Sequence, residues 1–312
     1  MNNALPLIYY PNKWLWIDDD SLLLNTIKDT FGKENSIQIF QSSKDCLAFL
    51  KNYQPYLLKQ NFLKSIINDE SYGILKHTPV DFDITSLVQL ANDPNRYDEI
   101  TVMVIDYNMP EIDGFSLAKT AQSFPIKKIL LTGKAQETEA IDGFNSNLIH
   151  CFVQKSEPKM IEKLSYYLKS LSLQYFQEIT FPLFSYLETE NKLPLTDPVF
   201  INFFQDYCLK HKIKEYYLID KQGSFMCIDS QNIRSCLIIH TDKSIHNWLT
   251  LYSNEKCLSN DELTEIKNRR KIPFFGVGKE AWQTGPSEWS KHLHIPEILE
   301  GRERYFWATI QI

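Results

Sequence analysis

The sequence lacks the features that would place a protein in or across a membrane. No stretch of the chain approaches the roughly 18 consecutive apolar residues that a membrane-spanning helix needs. Residues 1–25 contain no basic segment followed by an apolar run and a small-residue cleavage site, so no secretory leader is predicted. We therefore expect a cytoplasmic protein.

Closely spaced cysteine pairs are also missing. The six cysteines are scattered along the chain without a CxxC motif, and several lie in apolar runs typical of strands. A thiol in such a run behaves as a small hydrophobic side chain. We interpret these residues as reduced core cysteines, in agreement with a cytoplasmic location.

The sequence also lacks an excess of positive charge. The formal net charge is −6 over 312 residues, so no global field attracts nucleic acid or an anionic membrane surface. What the chain does contain is enough apolar material for a sizeable core, with 43% hydrophobic residues. Its length is typical of about two domains.

The first half of the chain alternates short apolar runs with amphipathic helical patterns, which is typical of βα units and a parallel sheet. Strands are predicted at residues 14–17, 36–40, 101–105, 127–131 and 148–153. Helices are predicted between them, one of them over residues 135–144. The pattern predicts a doubly wound α/β domain with a five-stranded parallel sheet, covering residues 12–170.

A long segment, about residues 52–99, separates the second of these strands from the third. It is too long for a bare loop in a compact domain. Three prolines interrupt it, and apolar runs occur at residues 62–67 and 87–91. We predict the second helix of the domain followed by a helical insert, whose role the sequence does not indicate.

The second half is predicted to be a smaller α+β output domain at residues 198–312. A linker helix and a proline-containing connection at residues 171–197 precede it. The turn at residues 221–224 lies between two apolar runs and predicts a β-hairpin. Further strands are predicted at residues 236–240, 274–277 and 305–310, so we expect an antiparallel sheet with helices.

Polar residues follow four of the predicted parallel strands, at the edge where open α/β sheets place their binding sites. In chain order they are Asp18, Asp19 and Asp20, then Asp106, Thr132 and Lys155. Each type is ordinary by itself, since acids and threonines cap helices and a lysine is usually a solvated charge. Their occurrence at four strand ends of one sheet indicates a shared site.

These residues lie in segments that resemble the receiver domain of bacterial two-component response regulators, which has the fold of the chemotaxis regulator. The matching segments are WIDDD at 16–20, VMVIDYNMPEIDG at 102–114, ILLTG at 129–133 and CFVQK at 151–155. The third-strand segment is the most specific of them. The chain departs from the family in its long insert, and in having Ser156 where a proline is usual.

The resemblance implies that Asp106 accepts a phosphoryl group. Two anions meet in that reaction, which calls for a hard divalent cation with oxygen ligands. The family pattern implies Mg²⁺ bound by Asp19, Asp106 and the backbone carbonyl of Asn108, with Asp18 acting through water. The sequence leaves open which two of the three consecutive acids bind the metal. We favour the first two, because they lie nearest the strand end.

The resemblance also assigns roles to three further residues. Lys155 would pair with a phosphoryl oxygen, and Thr132 would donate a hydrogen bond to it. Phe152 matches the family's aromatic residue that turns inward after phosphorylation, although a plain core aromatic is the alternative. The receiver would catalyse only its own phosphoryl transfer, and no separate catalytic site is recognised.

Partners follow from the same resemblance. A histidine kinase or a phosphotransfer protein would supply the phosphoryl group. Apolar residues recur at heptad-like spacing from Ile161 to Tyr175, which favours a homodimer assisted by this helix; packing within the protein is the alternative. Among response regulators, the chain is similar to quorum-sensing regulators of the Legionella type.

Most response regulators act through an output domain that binds DNA, but this sequence predicts otherwise. Residues 171–312 contain 16 Lys and Arg against 18 Asp and Glu, and they show no compact helix-turn-helix pattern. We predict a module that binds a protein target or a small ligand. An enzyme or nucleotide-binding domain is the alternative, although the sequence has neither a glycine-rich phosphate loop nor clustered histidine or cysteine ligands.

Overall fold

The structure is a computed structural model that describes residues 4–32, 36–65, 80–133, 141, 143–187, 193–253, 255, 257–279 and 281–312. The chain folds into two compact units. The parallel unit contains the described residues within 10–60 and 93–179. The antiparallel unit contains those within 1–9, 61–92 and 180–312.

The described strands and helices follow one another along both units. In chain order the strands are β1 (Ile8–Tyr9), β2 (Lys13–Ile17), β3 (Ser36–Phe40), β4 (Leu63–Ser65), β5 (Val80–Phe82), β6 (Ile100–Asp106), β7 (Lys127–Thr132), β8 (Cys151–Gln154), β9 (Ile213–Leu218), β10 (Phe225–Asp229), β11 (Arg234–Thr241), β12 (Ile272–Pro273), β13 (Leu293–His294), β14 (Glu297–Glu300) and β15 (Arg304–Gln311). The α-helices are α1 (Ser21–Phe31), α2 (Ser43–Asn52), α3 (Ile84–Leu90), α4 (Gly114–Thr120), α5 (Met160–Thr180), α6 (Leu193–Thr196), α7 (Pro198–Lys210), α8 (Asp242–Tyr252) and α9 (Asn260–Lys267).

The predicted five-stranded parallel sheet is present, with strand order β3-β2-β6-β7-β8. Every neighbouring pair is parallel, and β6 is buried along its whole length between β2 and β7. One hydrophobic cluster covers each face of the sheet, around Leu15 and Ile105 on one side and around Trp14 and Val104 on the other. A sheet covered on both faces explains why its strands read as nearly continuous apolar runs.

Side-chain caps begin the helices that follow the strands. Asp20 accepts hydrogen bonds from the backbone N–H groups of Leu22 and Leu23 at the start of α1. Asp113 does the same for the N–H of Ser116 at the start of α4, at 2.8 Å. These contacts satisfy N–H groups that have no partner within the helix, so the chain leaves each strand end in a defined direction.

Helix α5 is part of the core of the parallel unit. Leu164, Leu168 and Tyr175 are fully buried, and the first two pack in the cluster around Trp14. The apolar residues of the heptad-like series therefore pack inside the protein. Their spacing no longer supports a homodimer formed through this helix. The helix begins at Met160 and ends at Thr180.

The antiparallel unit is built on a six-stranded sheet with order β1-β9-β10-β11-β15-β14. The predicted hairpin is confirmed, because β9 and β10 pair antiparallel on either side of residues 221–224. The strand predicted at residues 274–277 is wrong: the strand β12 ends at Pro273, and a turn with left-handed glycines follows it. Strands β1, β13 and β14 were not predicted.

The described residues 61–65 and 80–92 of the long insert belong to the antiparallel unit, whereas the sequence had placed the whole segment with the receiver. Residues 52–60 and 93–99 do belong to the parallel unit. The insert is not wholly helical, because β4 and β5 form an antiparallel pair before α3. The insert makes the antiparallel unit the larger of the two, where a smaller one was expected. Most of the helix predicted at residues 135–144 lies outside the described residues.

None of the helices in the described ranges has the length and apolar character needed to cross a membrane.

Candidate functional site

The sheet order brings the predicted site residues to one edge. Strands β2, β6, β7 and β8 are consecutive neighbours, so their carboxyl ends are adjacent. Asp106 is the last residue of β6 and lies opposite Leu131 of β7 in the register. Thr132 is the last residue of β7 and lies opposite Gln154 of β8, one residue before Lys155. Parallel strands thus assemble a site from residues more than a hundred positions apart.

Three carboxylates share the centre of this edge. Asp18, Asp19 and Asp106 each offer an oxygen, and these oxygens all lie within 4.8 Å of one another. Asp18 and Asp106 are buried, whereas Asp19 is exposed. Burial raises the pKa of Asp18, against the opposing effect of hydrogen bonds from Lys155 and from the backbone N–H of Asp20. Like charges at this distance need a cation among them.

Lys155 provides one cation. Its Nζ lies 2.8 Å from Asp18 Oδ2 and 3.0 Å from Asp106 Oδ1. Burial disfavours its charged form, but the hydrogen bonds to the two carboxylates outweigh this and raise the pKa of Lys155. The backbone N–H of Lys155 donates to the carbonyl of Thr132 at 2.9 Å, which holds the end of β8 against β7.

The hydroxyl of Thr132 is fully buried and has no hydrogen-bond partner among the residues that the structure describes. An unsatisfied buried hydroxyl costs about 1–3 kcal/mol of stability. Such a group at a strand end beside an acid cluster is available to a ligand oxygen, which would satisfy it.

The structure separates the consecutive acids by their contacts. Asp20 caps α1, as described above, while Asp18 and Asp19 join Asp106. Sequence position alone left this choice open. The pairing of Asp18 and Asp19 agrees with the preference for the two acids nearest the strand.

The loop after Asp106 depends on a close backbone approach that the sequence motif does not explain by itself. A Cβ atom at Gly114 would lie 2.4 Å from the carbonyl oxygen of Asp106. The N–H of Gly114 donates to the carbonyl of Tyr107 at 3.0 Å, closing the loop back onto the strand. A larger residue would clash with the carbonyl oxygen of Asp106, so glycine is required here. The close approach brings the backbone of Asp106 against the start of α4.

Asn108 and Phe152 lie around the site. Asn108 is exposed, two residues beyond the end of β6. Phe152 lies opposite Leu130 in the pairing of β8 with β7, is half-buried and packs against the cluster around Ile105. Its side chain is thus accessible in part, unlike an ordinary core aromatic.

The donor set fits a hard divalent cation. Three carboxylate oxygens converge on one point, they are supplied by two strand ends, and one of them is exposed to solvent. Oxygen-only ligands with retained water are what Mg²⁺ prefers. Among the described residues this is the only group of three or more acid, histidine or cysteine side chains with such geometry.

The fold and the site together are similar to those of two-component response regulators with a receiver domain of the chemotaxis-regulator type. Over its whole length the chain is similar to the response regulator LqsR of Legionella pneumophila, with 27% identity, a TM-score of 0.81, and coverage of 100% of this chain and 91% of that one. The resemblance drawn from the sequence is confirmed.

Two solved receiver domains match about half of the chain. One is from a Francisella response regulator, with 19% identity, a TM-score of 0.34, and coverage of 52% of this chain and 98% of that one. The other is from Methanospirillum hungatei, with 15% identity, a TM-score of 0.36, and coverage of 54% and 98%. No protein-family model matches the sequence. A sequence search among curated proteins finds no match either.

Proposed function

We propose that Asp106 is the phosphoacceptor of this response regulator. The observation that carries the proposal is that two further carboxylates and the ammonium group of Lys155 lie around Asp106, while the buried hydroxyl of Thr132 lies at the end of the neighbouring strand. Each of these groups meets one requirement of phosphoryl transfer to a carboxylate. All of them lie at the carboxyl ends of neighbouring strands in one sheet.

In the proposed reaction, a carboxylate oxygen of Asp106 attacks the phosphorus atom, and the bond from phosphorus to the donor's leaving atom breaks. Lys155 shifts from the carboxylates to a phosphoryl oxygen, which is within reach because its Nζ already lies 3.0 Å from Asp106. Thr132 donates the hydrogen bond that it otherwise does not make. Asp18, Asp19, Asp106 and the carbonyl of Asn108 would hold Mg²⁺, which supplies neutralisation of the opposed negative charges.

Incubation with acetyl phosphate and Mg²⁺ tests the assignment. Intact-mass measurement is expected to show one added phosphate on the wild-type protein and none on Asp106→Asn. Asp98→Asn is the matched control, since Asp98 lies two residues before the first residue of β6, whereas Asp106 is the last residue of that strand. Equal labelling of the Asp106→Asn variant, or labelling that survives removal of divalent cations, would contradict the proposal.

The switch proposed to follow phosphorylation uses Thr132 and Phe152. Thr132 moves to satisfy its hydroxyl on the phosphoryl oxygen, and the half-buried ring of Phe152 turns into the space that is left. Beryllofluoride with Mg²⁺ gives a stable probe of this state. Its affinity is expected to fall for Thr132→Val and to be retained for Thr132→Ser, since only the second variant keeps the hydroxyl.

We infer that the antiparallel unit acts on a protein target or a small ligand and not on DNA. Two of the four cations at residues 267–271 form ion pairs with neighbouring acids. Arg269 Nε lies 2.7 Å from Asp242 Oδ1, and Arg270 Nη1 lies 3.2 Å from Glu265 Oε1. Binding of the full-length protein to duplex DNA at low salt is expected to be weak, and submicromolar affinity with a steep salt dependence would contradict this inference.

The proposed setting follows from the response-regulator class. This protein acts in the cytoplasm, where a histidine kinase or a phosphotransfer protein supplies the phosphoryl group, within a quorum-sensing pathway of the Legionella type. A homodimer, if phosphorylation favours one, has to use a surface other than the buried stripe of α5, for instance one that includes Phe152. Sedimentation with and without beryllofluoride measures this directly.

A further inference from the structure

The antiparallel unit contains a cavity of about 870 Å³ that no part of the phosphoryl switch uses. It lies between the part of the insert around β5, the helix α8 and the turn after β12. A volume of this size is typical of sites for small organic molecules. All of its lining residues belong to the antiparallel unit, so the cavity is a property of that unit alone.

One wall of the cavity is aromatic. Trp248 and Tyr252 lie one turn apart on α8, with ring centroids 5.2 Å apart. The ring of Trp248 is stacked with that of Phe275 at 6.4 Å and an interplanar angle of 15°. Trp289 packs behind both rings and is buried, so the wall is held in place. Such a wall favours a flat apolar group in the cavity.

The turn after Phe275 brings cationic character to the same cavity. Gly276 and Gly278 adopt positive φ angles of 111° and 67°, and Lys279 follows them directly. The N–H of Lys279 donates to the carbonyl of Gly276 at 3.2 Å, which closes the turn. A Cβ at Gly278 would meet nothing within 4 Å, so the turn faces open space. Turns with left-handed residues present their backbone N–H groups to anions.

Three of the four acids that line the cavity already form ion pairs or hydrogen bonds within the protein. Asp81 Oδ1 pairs with Lys221 at 3.1 Å, and Asp83 pairs with Lys64. Asp220 Oδ1 accepts three backbone hydrogen bonds, from residues 222, 223 and 224, at 2.9–3.0 Å. Glu303 is the remaining acid of the lining.

Lys279, by contrast, is exposed and forms no ion pair with any residue that the structure describes. The end of the cavity formed by the glycine turn therefore carries an available cation, while three of the four acids are neutralised or hydrogen-bonded.

The geometry points to a binding site for an organic anion with a flat apolar body, which stacks on the Trp248–Tyr252 wall and places its anionic group at the Gly276–Lys279 turn. This inference goes beyond the phosphoryl switch and does not depend on it. Carboxylates and phosphate esters share the required chemistry, and both are included in the test.

The probe for the test is 8-anilinonaphthalene-1-sulfonate, a flat aromatic anion, titrated into the full-length protein under native conditions. Saturable binding to one site is expected. Lys279→Gln is expected to weaken it at least fivefold and Lys279→Arg to retain it. Leu251→Asp, at a 69% exposed position that lines the cavity, is also expected to weaken it at least fivefold because it adds negative charge.

Matched controls separate the cavity from nonspecific surface binding. Lys267→Gln removes an exposed lysine of α9, and Leu209→Asp changes a 79% exposed leucine of α7; neither residue lines the cavity. Both variants are expected to bind like the wild type. The uncharged analogue N-phenyl-1-naphthylamine is expected to bind at least tenfold more weakly than the sulfonate.

Competition identifies the anionic group. Displacement of the probe by benzoate assigns a carboxylate ligand, and displacement by phenyl phosphate assigns a phosphate ester. The inference is overturned if neither displaces the probe, if binding does not saturate, or if Lys279→Gln and Leu251→Asp bind as their controls do. The same titration on Asp106→Asn is expected to be unchanged, so a failure of the phosphoacceptor proposal would not affect this result.

Discussion

Lys155 is the one cation among the described residues that bridges the two buried carboxylates, Asp18 and Asp106. Lys155→Gln leaves these charges facing each other, so we expect the free energy of unfolding without divalent cations to fall by about 1–3 kcal/mol. Added Mg²⁺ is expected to restore more stability to the variant than it adds to the wild type. Urea denaturation with and without Mg²⁺ measures both effects.

Lys159→Gln is the control for this experiment, because Lys159 is exposed and forms an exposed ion pair with the neighbouring Glu162. Its stability is expected to match the wild type, since exposed pairs contribute little. Equal stability of Lys155→Gln and Lys159→Gln without Mg²⁺ would show that Lys155 does not neutralise the acid cluster.

A second residue-scale prediction concerns Glu99, at the opposite end of β6. Burial raises the pKa of Glu99 to about 7, although hydrogen bonds from the Tyr175 hydroxyl and from the Leu57 N–H at 2.8 Å oppose the shift. The folded protein then retains a proton that the unfolded chain, with a pKa near 4.3, releases. Stability is therefore expected to fall as the pH rises from about 4.5 to 7.

Glu99→Gln removes this titration, so the variant is expected to lose that part of the pH dependence, on the order of 3 kcal/mol across the window. Thermal or urea unfolding at several pH values provides the measurement. Glu162→Gln, at an exposed position, is the control and is expected to keep the wild-type profile. A Glu99→Gln profile that parallels the wild type would place the titrating group elsewhere.

At the scale of elements, α5 belongs to the receiver core and is not a free interaction surface. Leu168 is fully buried in it, and a Leu→Ala change at such a site already costs about 2–5 kcal/mol. Leu168→Glu adds a buried charge and is expected to lower the melting temperature sharply or to unfold the parallel unit. Circular dichroism during heating gives the readout.

Tyr166→Glu is the control on the same helix, because 69% of Tyr166 is exposed. Its melting temperature is expected to stay near that of the wild type. If Leu168→Glu instead folds with wild-type stability and its self-association is altered, then the helix does contribute to a dimer, as its apolar spacing predicted.

The elements differ in how far local sequence patterns predicted them. Most of the parallel strands were found because they are apolar runs that end in polar residues, and β10 was found because a turn precedes it. The strand β14 was missed because its sequence is EILE, with charges at both ends and a half-exposed centre. The strand predicted at residues 274–277 rested on the two apolar residues at its start. It does not form, because Gly276 has a positive φ angle that interrupts an extended strand.

At the scale of the whole molecule, the antiparallel unit is assembled from distant segments. The strand β1 pairs with β9, where Ile8 lies opposite Tyr217. Arg234 Nη2 donates to Asn92 Oδ1 at 2.9 Å, which joins the end of the insert to β11. A fragment of residues 180–312 lacks both partners and leaves an unpaired edge on β9.

We expect this fragment to melt at a lower temperature and less cooperatively than the antiparallel unit in the full-length protein. Differential scanning calorimetry of the two samples makes the comparison, with Leu209→Asp in the full-length chain as a control for exposed changes in the same unit. Cooperative unfolding of the fragment at the full-length temperature would show that the two amino-terminal segments do not stabilise the unit.

Local patterns were enough for the parallel sheet and for the acids, hydroxyl and lysine at its edge, because hydrophobic periodicity reports burial and strand ends bring those residues together. They could not decide how the acids divide their roles, since Asp18, Asp19 and Asp20 differ only in the contacts of the folded chain. Nor could they show where residues 61–65 and 80–92 pack or that Trp248, Phe275 and Lys279 line one cavity. Those facts depend on contacts between segments far apart in the chain, which no short window of sequence contains.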